Sequence, residues 1–188
     1  MLPFPPLTEL DHSILRSAPS QIELSKKSVL RFEGLDAIVS PTVSSLKPAE
    51  GIAKEIYEAM DEDYLSFCRN EKLLFTSKTS FYGGSLPSII HVVPPSYTKS
   101  EKDPLALENA YFNVLETAKE HAILSIGIPS LERKRGEYPM HKSVPIAYLA
   151  IAKWLLLNPD YPLSIVFCVD DQKEYAYYRS FYNKYLLR

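Results

Sequence analysis

The chain has 188 residues, 46% hydrophobic and 23% charged, which fits one domain around one core and excludes an intrinsically disordered polypeptide. Its formal net charge of −2 supplies no global field that would draw it to nucleic acid or to an anionic membrane, so any such contact needs a local patch. Cys68 and Cys168 are too few for a disulfide framework, which points to reduced thiols and a cytoplasmic or nuclear setting.

Residues 1–20 read as a proline-containing leader with little regular structure beyond a short helix near 11–16, and residues 21–188 as one domain. Met1-Leu2-Pro3-Phe4-Pro5-Pro6 has neither the basic lead nor the apolar stretch of a secretory signal. No apolar run reaches the roughly 18–20 residues that span a bilayer, so no membrane partner is expected. A strand is predicted at 22–24, continuing towards residue 32, and a short buried strand at 35–39. Ile52, Ile56 and Met60 share one face of a helix over 51–60. Strands follow at 73–79 and 89–93, separated by Gly83-Gly84 and Pro87.

The next helix is predicted to start at Asp103, as its cap, with Pro104 in the first turn and a stripe of Leu107, Tyr111, Val114, Leu115 and Ala118. A strand at 123–128 leads to a helix over 142–157 with the stripe Val144, Tyr148, Ile151 and Leu155, where Pro145 is tolerable because it sits near the start. The strongest strand is 163–169. A last helix opens at Asp171 with Glu174 at capping-box spacing and is predicted to bury Tyr175, Tyr178, Tyr182 and Tyr185. Such alternation implies an α/β fold with a largely parallel or mixed sheet covered by helices on both faces. Ligands of such sheets settle at the carboxyl ends of the strands, so the loops after Val39 and Ile128 are the places to look.

Those loops carry a family resemblance. Asp36-Ala37-Ile38-Val39-Ser40-Pro41-Thr42-Val43-Ser44-Ser45-Leu46 resembles the macro-domain motif D-A-I-V-N-A-A-N-S-S-L, and Gly51-Ile52-Ala53-Lys54-Glu55-Ile56 resembles the helix G-[IV]-x-x-x-I that follows it. Ile89-Ile90-His91-Val92-Val93-Pro94 is similar to the family's I-I-H-x-V-x-P strand. Gly127-Ile128-Pro129-Ser130-Leu131 is similar to the strand before its second glycine loop, and Tyr138-Pro139 to that loop's end. The resemblance covers most of residues 22–187 and implies a three-layer α/β/α fold with a central mixed sheet that binds ADP-ribose or a related nucleotide. It implies ligand contacts at Ser40, Val43, Ser44, Glu50, Gly51, Ile52 and Ser130, with Ser28 or its neighbour at the position of the family's adenine-binding Asp.

Departures from the pattern alter those contacts. Val43 stands where the motif's last Asn holds the distal ribose and helps to position an attacking water, and it has no polar atom for either task. Of the first glycine run only Gly51 remains, while Pro48 lacks an N–H and Glu50 brings negative charge towards a diphosphate. The second loop, S-T-G-I-[FY]-G in the family, reads Glu132-Arg133-Lys134-Arg135-Gly136-Glu137. Arg133, Lys134 and Arg135, with Gly136, are thus candidates for a phosphate or nucleic-acid contact, against the alternative of a solvated charged loop.

His12, His91, His121 and His141 show no metal-ligand spacing, and no metal or cofactor is expected. His91 reads as a hydrogen-bonded core residue, and Ser44 and Ser45 lack the G-x-S-x-G setting of a hydrolase nucleophile. Three functions follow. The first is a binding module for ADP-ribose or a related nucleotide, with little or no hydrolase activity. The second is a degenerate domain acting as a protein- or RNA-interaction scaffold. An ADP-ribosyl hydrolase or ADP-ribose phosphatase is the third.

Overall fold

The computed structural model describes residues 1–18, 20–131 and 137–187. Six strands form one sheet: β1 (Ile22–Ser25), β2 (Ala37–Pro41), β3 (Thr79–Tyr82), β4 (Ser88–Val92), β5 (Ser125–Ile128) and β6 (Ser164–Cys168). Their spatial order is β1-β6-β5-β2-β4-β3. Every neighbouring pair is parallel except β3 with β4, so the sheet is mixed. The helices are α1 (Glu9–Ser17), α2 (Gly51–Ala59), α3 (Glu62–Asn70), α4 (Asp103–Glu120), α5 (Met140–Leu157) and α6 (Gln172–Tyr185), with a 3₁₀ turn at Val29–Arg31.

Side chains alternate across a strand, and here the alternation sorts the core into two layers. Ala37 and Val39 of β2, Ile90 and Val92 of β4, and Ile165 and Phe167 of β6 pack with residues of α1, α4, α5 and α6. Their neighbours Ile38, Ile89, Val166 and Cys168 pack on the other face with Ile56 of α2 and Tyr64 and Cys68 of α3. The result is the three-layer α/β/α arrangement. Asp36 fixes the register beneath it: its carboxylate accepts from the N–H groups of Leu124 (3.0 Å) and Ser125 (2.9 Å), while its own N–H donates to the Ser125 hydroxyl at 2.9 Å.

Several elements differ from the sequence expectation. The first strand ends at Ser25, because the Ser28 hydroxyl accepts from the Leu30 N–H and starts the 3₁₀ turn instead. The strand expected at 73–79 begins only at Thr79. Leu73 and Phe75 are 69% and 79% exposed, so the apolar run reflects no strand packing. Helix α3, which the pattern did not reveal, is capped by the Asp61 carboxylate accepting from the Tyr64 N–H at 3.1 Å, and it buries Tyr64 and Cys68 one turn apart.

Asp103 does not cap α4. It is the first helical residue, and its carboxylate accepts from the Thr98 hydroxyl and from the Thr98 and Ser100 N–H groups, stapling the preceding loop. Asp171 does cap α6, accepting from the Lys173 and Glu174 N–H groups. The buried face of α6 is Glu174, Tyr177, Tyr178 and Phe181; Tyr175, Tyr182 and Tyr185 pack only partly. Three of the four residues of the expected face, Tyr175, Tyr182 and Tyr185, therefore give way to Tyr177 and Phe181. Near the N-terminus α1 carries a reciprocal Thr8–Asp11 capping box, Leu15 is buried, and the Phe4 ring meets Phe181 edge-on at 5.1 Å.

Candidate functional site

Parallel strands send their following loops to one end of a sheet, and a cavity of about 290 Å³ opens there. Pro41 ends β2, Pro129 and Ser130 follow β5, and Cys168, Val169 and Asp170 close β6. Ser28 and Val29, after β1, form a further wall, and Glu50, Gly51, Ile52 and Glu55 bring the start of α2 to the mouth. Glu174, in the first turn of α6, completes the lining.

The start of α2 depends on one glycine. Gly51 has φ +72°, a left-handed conformation that side chains disfavour, although a Cβ there would meet nothing within 4 Å. Glu50 occupies the N-cap position without making a side-chain capping bond. The first turn thus presents the partial positive charge of a helix terminus with no side chain capping it. A second glycine packs beside the lining residues Val29 and Cys168. A Cβ on Gly127 would lie 2.6 Å from Leu35 Cδ1 and 3.5 Å from Cys168 Sγ, so its absence lets Leu35 pack against β5 beside the 3₁₀ turn.

Four acidic residues line the cavity: Glu50, Glu55, Asp170 and Glu174. No lysine or arginine does so among the described residues. Cys168 also faces this space, but burial, reinforced by the Asp170 charge, pushes its thiol up to about 12. Near neutral pH it is thereby held in the protonated, weakly nucleophilic form. Burial raises the Tyr178 phenol well above its ordinary value, with Tyr111 and Ser130 as neighbours.

Of the residues singled out in the sequence, Ser28, Glu50, Gly51, Ile52 and Ser130 come together around this cavity. Ser40, Val43 and Ser44 are not among its lining residues. Ser40 is buried within β2. Val43 and Ser44 are half-buried in the following turn, which is pinned by the Leu74 N–H donating to the Ser44 carbonyl at 2.9 Å. Arg133, Lys134, Arg135 and Gly136 lie outside the described residues. Sequence reasoning missed Glu55, Asp170 and Glu174. Asp170 directly follows the strongest strand, so the strand-end rule that selected the other loops would also have selected this one.

A second cavity, about 280 Å³, lies between the starts of α4 and α5, where the Tyr97 and Tyr138 rings pack 4.7 Å apart and Lys142 reaches the Tyr97 hydroxyl at 3.0 Å. Among the described residues no cluster of His, Cys, Asp and Glu could hold a metal ion, and no helix is long and apolar enough to cross a membrane.

The model of the family described as "Macro domain" matches residues 39–147. An uncharacterized protein of Fusobacterium nucleatum is 28% identical over 169 residues, covering 88% of this chain and 96% of its own. The human ADP-ribose glycohydrolase MACROD2 is 27% identical over 185 residues, 95% of this chain but 43% of the human protein, so the chain spans under half of that relative's length. Among solved structures, the macro domain of ganglioside induced differentiation associated protein 2 superposes with a TM-score of 0.80 at 25% identity, covering 98% of this chain and 90% of that one. The Oceanobacillus iheyensis macrodomain with ADP gives 0.71 at 27% identity, covering 80% and 84%.

Proposed function

Since the chain belongs to the macro domain family, we propose that it is a binding module for ADP-ribose or a related nucleotide, with altered contacts and little or no hydrolase activity. One observation carries the reading: the cavity sits at the carboxyl end of the sheet, walled by the loops after β1, β2, β5 and β6, with the start of α2 opening onto it. A nucleotide fits this arrangement with its phosphates towards Gly51 and Ile52, where a helix terminus favours anions. Its nucleoside lies towards Ser28, Val29 and Asp170. The solved relative with ADP and the human glycohydrolase support the ligand class.

Little hydrolysis is proposed because Val43 occupies the position of the motif's last Asn and offers no atom to orient a water. The Arg133-Lys134-Arg135 run supplies attraction for the ligand's phosphates, and replacing Arg133 and Arg135 with Ala weakens binding at least about tenfold, roughly 1.4 kcal/mol. Two assays test the reading. Calorimetric titration with ADP-ribose gives saturable one-site binding, while incubation with an ADP-ribosylated protein releases no ADP-ribose above background. Turnover that persists through repurification contradicts the non-hydrolytic part. If ADP-ribose gives no binding heat and a short RNA or a protein partner does, the scaffold reading replaces this one.

A further inference from the structure

We infer that Glu50 and Glu55 set the charge selectivity of the cavity, acting against each phosphate of a nucleotide and tilting preference towards nucleoside-like ligands of low negative charge. The inference rests on the nucleotide-binding reading above and names which members of that ligand class the site disfavours. Both residues line the cavity together with Gly51 and Ile52, one just before them and one a turn further along α2. Glu50 makes no capping hydrogen bond, so a structural role at the helix terminus does not account for its charge. Neither glutamate has an ion-pair partner among the described residues. Lys54, which lies between them in sequence, pairs instead with Glu58 at 3.6 Å, and neither of those lines the cavity.

Opposing charges meet at the lip. A helix N-terminus is equivalent to about half a positive charge, whereas two carboxylates bring two negative ones. The two carboxylates therefore work against the attraction that the terminus offers a phosphate at the start of α2. Both side chains are exposed, so water screens the interaction and each is worth a few-fold in affinity rather than orders of magnitude. An uncharged ligand is indifferent to the pair.

The experiment compares the parent chain with Glu50→Gln/Glu55→Gln by calorimetric titration with adenosine, AMP, ADP and ADP-ribose at low and high salt. The double variant is expected to bind ADP and ADP-ribose about three- to tenfold more tightly than the parent, AMP less so, and adenosine equally. The gain shrinks as added salt screens it. Glu58→Gln, which removes a charge from the same helix outside the cavity, leaves all four affinities unchanged. An equal effect on adenosine and ADP, no effect on either, or the same gain from Glu58→Gln overturns the inference while the binding reading stands. If none of the four ligands binds either protein, the cavity reading itself fails and the inference falls with it. Matching melting temperatures of parent and variants establish that the comparison is between folded proteins.

Discussion

The Tyr64 hydroxyl lies 2.9 Å from His91 Nε2, and the two rings stack with an interplanar angle of 20° beneath the face that carries α2 and α3. On the other side of the imidazole, Nδ1 lies 3.3 Å from the Ser80 carbonyl, which can only accept. Nδ1 therefore carries the proton, and Nε2 accepts from Tyr64. Tyr64 belongs to the helix that the sequence pattern did not reveal, so the partner of a motif histidine was also hidden from it.

Burial holds His91 down at about 4, against an ordinary value near 6.5, with the Ser80 hydrogen bond opposing the shift only in part. Because the unfolded chain takes up the proton first, His91 costs no stability above about pH 6.5 and destabilises the fold progressively as pH falls towards 4. Urea titrations at pH 7 and pH 5 should show the parent losing about 2 kcal/mol between them through this group, within a ceiling of about 3 kcal/mol. In His91→Gln, starting from lower stability, that pH-dependent loss should disappear.

Asp103 has the opposite sign. Burial alone would raise its carboxyl, but hydrogen bonds from the Thr98 hydroxyl and from the Thr98, Ser100 and Lys99 backbone outweigh it and hold the group below the ordinary carboxylate value. Its contribution is present above the ordinary carboxylate range and is lost as pH falls through the lowered value. Asp103→Ala should lower Tm by several degrees and expose residues 94–102 to limited proteolysis, because three stapling bonds disappear together. Unchanged Tm and cleavage pattern would show that the loop is held by its other contacts.

Gly51 lends itself to a backbone test. With φ at +72° and open space where a Cβ would go, Gly51→Ala meets no clash, so its cost is conformational, about 1 kcal/mol. Gly51→Val, being β-branched, should cost more, and both should weaken ADP-ribose binding by moving the lip of α2. Chemical denaturation and calorimetry measure the two effects separately. Full binding by a destabilised Gly51→Val protein would place the ligand away from α2.

Much of this architecture was legible in the sequence because periodicity records burial. The stripe Val144, Tyr148, Ile151 and Leu155 is buried as read, and the short apolar runs mark β2, β4, β5 and β6. What failed did so where burial and apolarity part company. Leu73 and Phe75 look like strand residues but face water, whereas Tyr64 and Cys68 lie in a polar-looking segment, Glu62–Asn70, and are both 1% exposed. On α6 every third or fourth position is aromatic, so the pattern allowed more than one face, and packing on α5 and the Phe4 ring chose Tyr177 and Phe181. For the site, the motif drew attention to Ser28, Gly51 and Ser130, which share the cavity. It gave no signal for Glu55 or Glu174, whose place there depends on where helices α2 and α6 begin in space.

The most direct test of the central claim is an amide NMR titration of the parent chain with ADP-ribose. Binding in the proposed cavity predicts saturable shifts at Ser28, Gly51, Ile52, Ser130 and Asp170, with the resonances of Tyr97 and Lys142 at the second cavity unmoved. Shifts confined to the second cavity, or none at millimolar ligand, would contradict the account.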